Sequence, residues 1–416
     1  MSKYIIHGGK RLEGELHIPG SKNAVLPIIA ATLLSGKKTS LYNCPKIADV
    51  DIMLEILKQL GCDIKWDNKT LIIDTSTLQS YNISEELVRK MRSSIILLGA
   101  IIGRLGKAKI SYPGGCPLGA RPIDLHLMAF KKMGIIVEEK HGFIMCESTH
   151  LQGAKIHLDF PSVGATENIM LAAALASGTT IIDNAAREPE IVDLQDYLNM
   201  CGAKITGAGS GTIIIQGVKN LKDVTYEVIS DRIIAGTYLV AAAITRGNII
   251  IHHANGLHLR AVTSKLEETG CRIMEDGQRI ILEAPKELKG ITLSTEPYPG
   301  YPTDMQSQMM ALLTTCKEVS IIKENLFEAR FKPAYEMMRM GANISIEGKL
   351  AIIKPCHQLT GTNVRAEDLR GGAGLVLAGL YAEGETIIED IYHIKRGYED
   401  IARDLREIGA CIEEKE

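Results

Sequence analysis

The sequence predicts an α/β protein of two domains, built from six copies of one helix-and-strand unit with helices inside and sheets outside. Three observations predict it. A glycine closes an amphipathic helical pattern six times, in QLGCDI, KMGIIV, MCGAKI, ETGCRI, RMGANI and EIGACI, at Gly61, Gly134, Gly202, Gly270, Gly341 and Gly409. The intervals are 73, 68, 68, 71 and 68 residues, which is the signature of repeated supersecondary units. A second marker precedes each glycine by 23 to 28 residues, at Gly36, Gly106, Gly178, Gly247, Lys317 and Gly384. Before it runs a segment that is apolar on nearly all sides, such as LPIIAATLLSG or MLAAALASG. Such a helix has to be buried, and that inverts the usual α/β layering.

Each unit reads helix, glycine stop, strand, turn, second helix, glycine stop, strands. The second helices, such as SKLEETG and ARDLREIG, carry a polar face and sit partly exposed. The strands after the first helices are β-branched runs, TTIIDNA, NIIIHHA and ETIIEDI. Residues 1–20 hold two strand patterns, YIIHG and GELHIPG, but no unit of their own, so they are expected to complete the last unit. Three units each give domains at 21–229 and at 1–20 with 230–416. Periodicity alone places that boundary, because no Pro- or Ser-rich linker marks it.

Composition excludes several functions. With 416 residues and 45% apolar content, large cores are available, while a net charge of −3 gives no basic surface for nucleic acid. Aromatics make up 5%, with Trp66 the one tryptophan, which leaves no base-stacking platform. The start, MSKYIIHGGKRLEGE, lacks the apolar stretch of a secretory signal, and IILLGAIIG is too short to span a membrane. Nine cysteines with no CxxC pair are simplest as reduced thiols in a cytoplasmic protein.

The repeats align chemistry as well as structure. Fourteen residues before each second marker stand Lys22, Arg92, Gly164, Ile233, Thr303 and Arg370, in the first turns of the six apolar helices. Helix starts expose N–H donors and a positive dipole end, and so suit anions. Taken singly, Ser21, Ser162, Asp231 and Asp368 are ordinary N-caps. Lys22, Arg92, Arg232 and Arg370 oppose the dipole there, which favours an anion held among several helix starts.

PGGCPLGARP, from Pro113 to Pro122, has the composition of a turning loop, so Cys116 is not a packing residue there. The other eight cysteines lie in periodic apolar segments. Arg121 can lower the Cys116 pKa and orient an anion. A thiol of reference pKa about 8.5 is mostly protonated near neutrality, so it can donate a proton as well as attack. His126 is near in sequence, yet nothing completes a thiol-hydrolase triad, and no Cys/His/Asp set has metal-ligand spacing. YPTDMQSQ places Asp304 at a helix start, and DLRGGAG and YHIKRGYED offer Arg370 and Arg396 as bidentate anion ligands.

Ser21-Lys22-Asn23, PGGCPLGARPIDLH, SVGAT, AAREPEIVD, DRI-x-AGTY, YPTDMQ, DLR and YHI-x-RGYE follow in one order over essentially the whole chain. Together they resemble the UDP-N-acetylglucosamine 1-carboxyvinyltransferase family. The sister shikimate-3-phosphate enolpyruvyltransferases share the six-unit fold but lack the PGGC loop and the AAREPEIVD segment. The resemblance implies the EPSP synthase-like fold, two inverse α/β barrels facing one another across a cleft. It implies transfer of enolpyruvyl from phosphoenolpyruvate to the 3-hydroxyl of UDP-N-acetylglucosamine, with no cofactor, no metal, and no nucleic-acid or membrane partner. By resemblance Cys116 is the acid, Asp304 the base or orienter at the sugar hydroxyl, and Lys22 a third catalytic group. Lys22, Asn23, Arg121, Arg330, Arg370 and Arg396 match phosphoenolpyruvate ligands. Arg92, Arg121, Pro122, Ile123, Asp124, Leu125, Ser162, Val163, Gly164, Asp304 and Leu326 match nucleotide-sugar contacts. The chain departs from the family pattern at Ile234, where glutamate is common, at Ala329, and over Lys332–Met337.

Acid and nucleophile roles for Cys116 predict different outcomes. If proton donation is the essential task, Cys116→Asp keeps measurable activity that rises toward acid pH, because an unperturbed Asp has a pKa of about 3.9. Cys116→Ser falls far lower, a hydroxyl being a poor acid. The resemblance adds that the epoxide fosfomycin alkylates this thiol, so wild type is inactivated irreversibly and Cys116→Asp is not. An active serine variant, or alkylation mapped by mass spectrometry to another cysteine, removes Cys116 from the chemistry.

Overall fold

Helices without a polar face have to be enclosed by other elements. The computed structural model, which describes residues 2–112 and 123–416, encloses six of them. The first half of the chain forms α1 (Lys22–Ser35), α2 (Ala48–Gln59), a 3₁₀ turn Arg92–Ile96 continuing as α3 (Leu97–Leu105), α4 (Asp124–Lys132), α5 (Val163–Ala173) and α6 (Pro189–Met200). The second half includes α7 (Arg232–Ile244), a 3₁₀ turn Thr303–Met305 continuing as α8 (Gln306–Leu313), and α9 (Leu369–Tyr381). Every residue of α1 from Ala24 to Ser35 is buried, as is α7 from Ile233 to Ile244 and all of α8. Two of the six aligned starts, at Arg92 and Thr303, are therefore 3₁₀ turns rather than α-helical first turns.

Contacts divide the chain into two units, one of residues up to Pro19 with Ser230–Glu416, the other running from Gly20 to Ile229. Each has its own apolar core. In the Gly20–Ile229 unit α1 packs on α3 and α3 on α5; in the other, α7, α8 and α9 pack on one another. Backbones approach closely at glycines. A Cβ on Gly99 would lie 2.2 Å from the Asn168 carbonyl oxygen, and one on Gly374 would lie 2.7 Å from that of Ser307. The six glycines that end the amphipathic helices all have positive φ, from 80° at Gly134 to 102° at Gly61. A left-handed helix stop favours glycine over any residue with a Cβ, which explains the recurrence.

The described residues form six sheets, five of them mixed and one, holding Lys107–Ser111, of three antiparallel strands. In the first repeat, Lys38–Tyr42 pairs antiparallel with Thr70–Asp74, which pairs with Asp63–Asp67. Strand faces alternate between core and solvent, as in Thr212–Gln216. The last unit lacks the middle strand of that set, and the N-terminus supplies it. Strand β1 (Lys3–His7) lies between Glu385–Glu389 and Cys411–Lys415, with Ile6 opposite both Thr386 and Ile412. Strand β2 (Glu13–His17) leads into α1 yet pairs in parallel with Asn248–His252 of the fourth repeat. Reciprocally, Val224–Glu227 leads into α7 yet pairs in parallel with Lys38–Tyr42 of the first. The chain thus passes between units at Pro19–Gly20 and again at Ile229–Ser230.

A buried carboxyl holds the end of the second crossing strand. Tyr226 donates to Asp193 Oδ1 at 2.6 Å, and the Ile229 N–H donates to Oδ2 at 3.4 Å. Burial pushes the Asp193 carboxyl up to about 7, against the opposing pull of the Tyr226 and Ile229 hydrogen bonds. Its folded value lies above its unfolded value of 3.8. Protonation therefore favours the fold, and that contribution is lost as pH rises from about 4 through 7. Asp193→Asn keeps the acceptor for Tyr226 but cannot ionise. Between pH 5 and pH 8 the variant is expected to gain on the order of 2 kcal/mol relative to wild type in urea unfolding. An unchanged difference across that range refutes a carboxyl that titrates there.

Candidate active site

Four aligned helix starts are capped by the side chains that precede them. Ser21 Oγ accepts from the Ala24 N–H at 3.4 Å and Ser162 Oγ from Ala165 at 3.3 Å. Asp231 Oδ1 accepts from Ile233 and Ile234 at 2.8 and 2.9 Å, and Asp368 Oδ1 from Arg370 and Gly371 at 3.0 Å each. Capping is thus one role of these residues. The basic residues beside them are explained in part by buried counter-charges, which the repeat alignment does not reveal.

In the Gly20–Ile229 unit, Lys22 opens α1 and its Nζ lies 2.8 Å from Oδ2 of Asp49 on α2. The Asp49 side chain is 1% exposed and that of Lys22 12%. Asn23 follows, half-buried. Arg92 starts the 3₁₀ turn before α3. Ile123 is buried, Asp124 exposed and Leu125 half-buried at the start of α4, and Ser162, Val163 and Gly164 form the start of α5. Cys116, Arg121 and Pro122 lie outside the described residues.

The elements carrying Arg92, Ile123–Leu125 and Ser162–Gly164 meet at His126 on α4. Its Nδ1 lies 2.7 Å from Asn168 Nδ2 on α5, which also donates to the Ile95 carbonyl at 2.9 Å. Asn168 Oδ1 accepts from the Gly99 N–H of α3 at 2.7 Å. Burial and then the charge of Arg92 push the imidazole down to about 4, so it is neutral at neutral pH. Nearby, Glu167 is buried, and burial followed by Glu190 and Glu188 holds its carboxyl well above the usual range.

In the other unit, one carboxylate is held between two buried guanidiniums. Arg370 Nε and Nη2 donate to Asp304 Oδ2 at 3.2 and 3.0 Å, and Arg330 Nη2 donates to Oδ1 at 3.0 Å. Arg330 also donates twice to the Thr303 carbonyl, at 3.2 and 3.0 Å, and lies 4.0 Å from Asp368. Burial is the largest single influence on Arg370 and lowers it, but Asp304, Tyr398 and Asp231 together outweigh burial and hold the guanidinium above its ordinary range. The Asp304 side chain is 29% exposed. Glu324 links the Thr303–Met305 turn to Leu326: its Oε2 accepts from Thr303 Oγ1 at 3.0 Å, and its Oε1 from the Leu326 N–H at 2.8 Å. Arg396 follows the short helix Tyr392–Lys395, at a helix end rather than a start, and its charge adds to burial in lowering His393.

The structure therefore brings Asp304, Arg330 and Arg370 within hydrogen-bonding distance, and gathers Arg92, Ile123–Leu125 and Ser162–Gly164 around His126. Lys22 and Asp304 belong to different units. Sequence reasoning missed Asp49, Asn168, Glu167 and Glu324. Asp49, Glu167 and Asn168 are polar residues among apolar helix positions, a signal by which they could have been found, whereas Glu324, between Lys323 and Asn325, carries none. Among the described residues no group of His, Cys, Asp and Glu has the arrangement of a metal site, and no helix is long and apolar enough to cross a membrane.

A sequence model of the EPSP synthase (3-phosphoshikimate 1-carboxyvinyltransferase) family matches residues 6–405. UDP-N-acetylglucosamine 1-carboxyvinyltransferase 2 of Caldanaerobacter subterraneus subsp. tengcongensis is 50% identical over 413 residues, covering 99% of each chain. UDP-N-acetylglucosamine 1-carboxyvinyltransferase 1 of Clostridium acetobutylicum is 49% identical over 418 residues and the whole of both chains. The crystal structure of the enolpyruvyl transferase NikO from Streptomyces tendae superposes with a TM-score of 0.90 at 25% identity, over 99% of this chain and 98% of that one. EPSP synthase from Acinetobacter baumannii, at 18% identity and a TM-score of 0.74 over both full lengths, shares the fold. The chain has the EPSP synthase-like enolpyruvyl transferase fold and belongs to the UDP-N-acetylglucosamine 1-carboxyvinyltransferase family.

Proposed function

We propose that this protein transfers the enolpyruvyl group of phosphoenolpyruvate to the 3-hydroxyl of UDP-N-acetylglucosamine and releases inorganic phosphate, the first committed step of peptidoglycan synthesis. Full-length identity near 50% to enzymes of that name carries the reading. Every residue type the chemistry needs is present. The three-repeat units are the two domains of the enzyme. A reducing, cytoplasmic setting fits the eight described cysteines, all free thiols.

Addition begins with a proton delivered to the methylene of phosphoenolpyruvate, for which Cys116 is the acid. The oxocarbenium-like carbon is then attacked by the sugar oxygen as the hydroxyl proton leaves toward Asp304. Elimination removes a proton from the new methyl group and breaks the bond to phosphate, restoring the double bond. Charge develops on phosphate, and Lys22, Arg121 and Arg396 are the cations assigned to it. Arg370 suits a second anion: its Nη1 is buried and has no hydrogen-bond partner among the described residues, while its other nitrogens hold Asp304. Each Asp304 oxygen already accepts from an arginine, yet a carboxylate has about four acceptor sites, so the sugar hydroxyl can join.

Phosphate release distinguishes the two acceptors of the wider family. Release from phosphoenolpyruvate is expected with UDP-N-acetylglucosamine and not with shikimate-3-phosphate. The reverse result assigns the protein to the sister activity, and normal ligand binding without turnover makes it a binding protein.

Asp304→Asn is nearly isosteric but cannot accept the proton. A fall in kcat of about 10²–10⁴-fold is expected, with UDP-N-acetylglucosamine affinity changed far less. Some thermal stability is lost too, since two buried arginines lose their counter-charge. Near-normal kcat returns Asp304 to a structural ion pair.

A further inference from the structure

Three buried side chains of the Ser230–Glu416 unit form a hydrogen-bonded chain that starts at the Asp304 backbone. Gln308 lies on α8, Thr237 on α7, and Tyr398 two residues beyond Arg396, and none is more than 1% exposed. The Gln308 amide is oriented by the Asp304 carbonyl, to which its Nε2 donates at 2.9 Å; the reverse orientation would set oxygen against oxygen. The second hydrogen of Nε2 goes to Thr237 Oγ1, at 3.1 Å. The Thr237 hydroxyl has one hydrogen of its own, which goes to the Ile233 carbonyl at 2.8 Å. Its oxygen therefore accepts twice, from Gln308 and from the Tyr398 hydroxyl at 2.8 Å.

With its one hydrogen committed to Thr237, the Tyr398 oxygen is left as an acceptor. Arg370 is the cation beside it, the guanidinium carbon lying 5.9 Å from the centre of the Tyr398 ring. Burial raises the phenol, and the charge of Arg370 is the largest influence opposing that rise. Arg370 in turn grips the Asp304 carboxylate through Nε and Nη2. One end of the chain thus fixes the backbone of Asp304, and the other presents an acceptor to the guanidinium that holds its side chain.

We propose that Tyr398, Thr237 and Gln308 are positioning residues of the transfer reaction, which hold Asp304 and the Arg370 guanidinium in register toward phosphoenolpyruvate. The inference rests on the reading above that Arg370 meets that substrate, and adds the residues that aim it. They act through Arg370 and Asp304 and not by contact with substrate.

Three variants test the chain. Tyr398→Phe keeps the ring and removes the acceptor beside Arg370. Thr237→Val keeps the shape and removes the oxygen that Tyr398 and Gln308 share, whereas Thr237→Ser keeps that oxygen. In phosphate-release kinetics, kcat/KM for phosphoenolpyruvate should be about tenfold lower in Tyr398→Phe and Thr237→Val, and within about threefold of wild type in Thr237→Ser. The calorimetric Kd for UDP-N-acetylglucosamine should stay within about twofold in all three, because the misplaced groups serve the other substrate. Wild-type kcat/KM in both Tyr398→Phe and Thr237→Val overturns the inference. So does a serine variant no better than the valine variant, or a loss of activity that runs in step with UDP-N-acetylglucosamine affinity and melting temperature, either of which reduces the chain to packing. A wild-type protein that releases no phosphate from the two substrates overturns the functional reading itself, and this inference with it.

Discussion

The structure depends on one constraint: the leading helix of each repeat has no polar face. A helix of that kind can sit only in the interior, so three of them form the centre of each unit and the sheets cover them. Close contact requires small residues where backbones meet, as at Gly99 against Asn168 and Gly374 against Ser307. It also confines polar chemistry. Along such a helix the places where charge is tolerated are its ends, and the first turn adds unpaired N–H donors and a positive dipole. The recurrence of Lys22, Arg92, Gly164 and Arg370 at equivalent positions follows from that geometry.

Charges at those starts are arranged in compensated sets. Lys22 is matched by Asp49, and Asp304 is matched by Arg330 and Arg370. Desolvating any one of these alone would cost several kcal/mol, so each buried charge comes with a partner. Around Asp304 the two guanidiniums answer to more than one carboxylate, since Arg330 also lies 4.0 Å from Asp368, and the Arg370 Nη1 is buried without a hydrogen-bond partner among the described residues. His126 needs no counter-charge. It is held neutral by burial, by Arg92 and by the donor facing its Nδ1, and offers a dipole where a further positive charge would be repelled.

The sequence alone determined the period, the burial of the leading helices, the exposed face of the following ones and the sites of the glycine stops. All of these are local: a 3.6-residue pattern or a left-handed turn is written in neighbouring residues. It also placed Lys22, Arg92, Thr303 and Arg370 at aligned positions, with Asp304 beside one of them, because a repeat is its own alignment. Tertiary structure alone decided the partners. Asp49 lies on a second helix, 27 residues beyond Lys22, and Arg370 reaches back 66 residues to Asp304. The exchange of β2 and Val224–Glu227 between repeats is likewise invisible locally, since a strand's pattern gives its faces and not its neighbour. The Asn168 amide shows the same limit, for its orientation, and with it the tautomer of His126, follows from backbone groups of Gly99 and Ile95 that only folding brings to it.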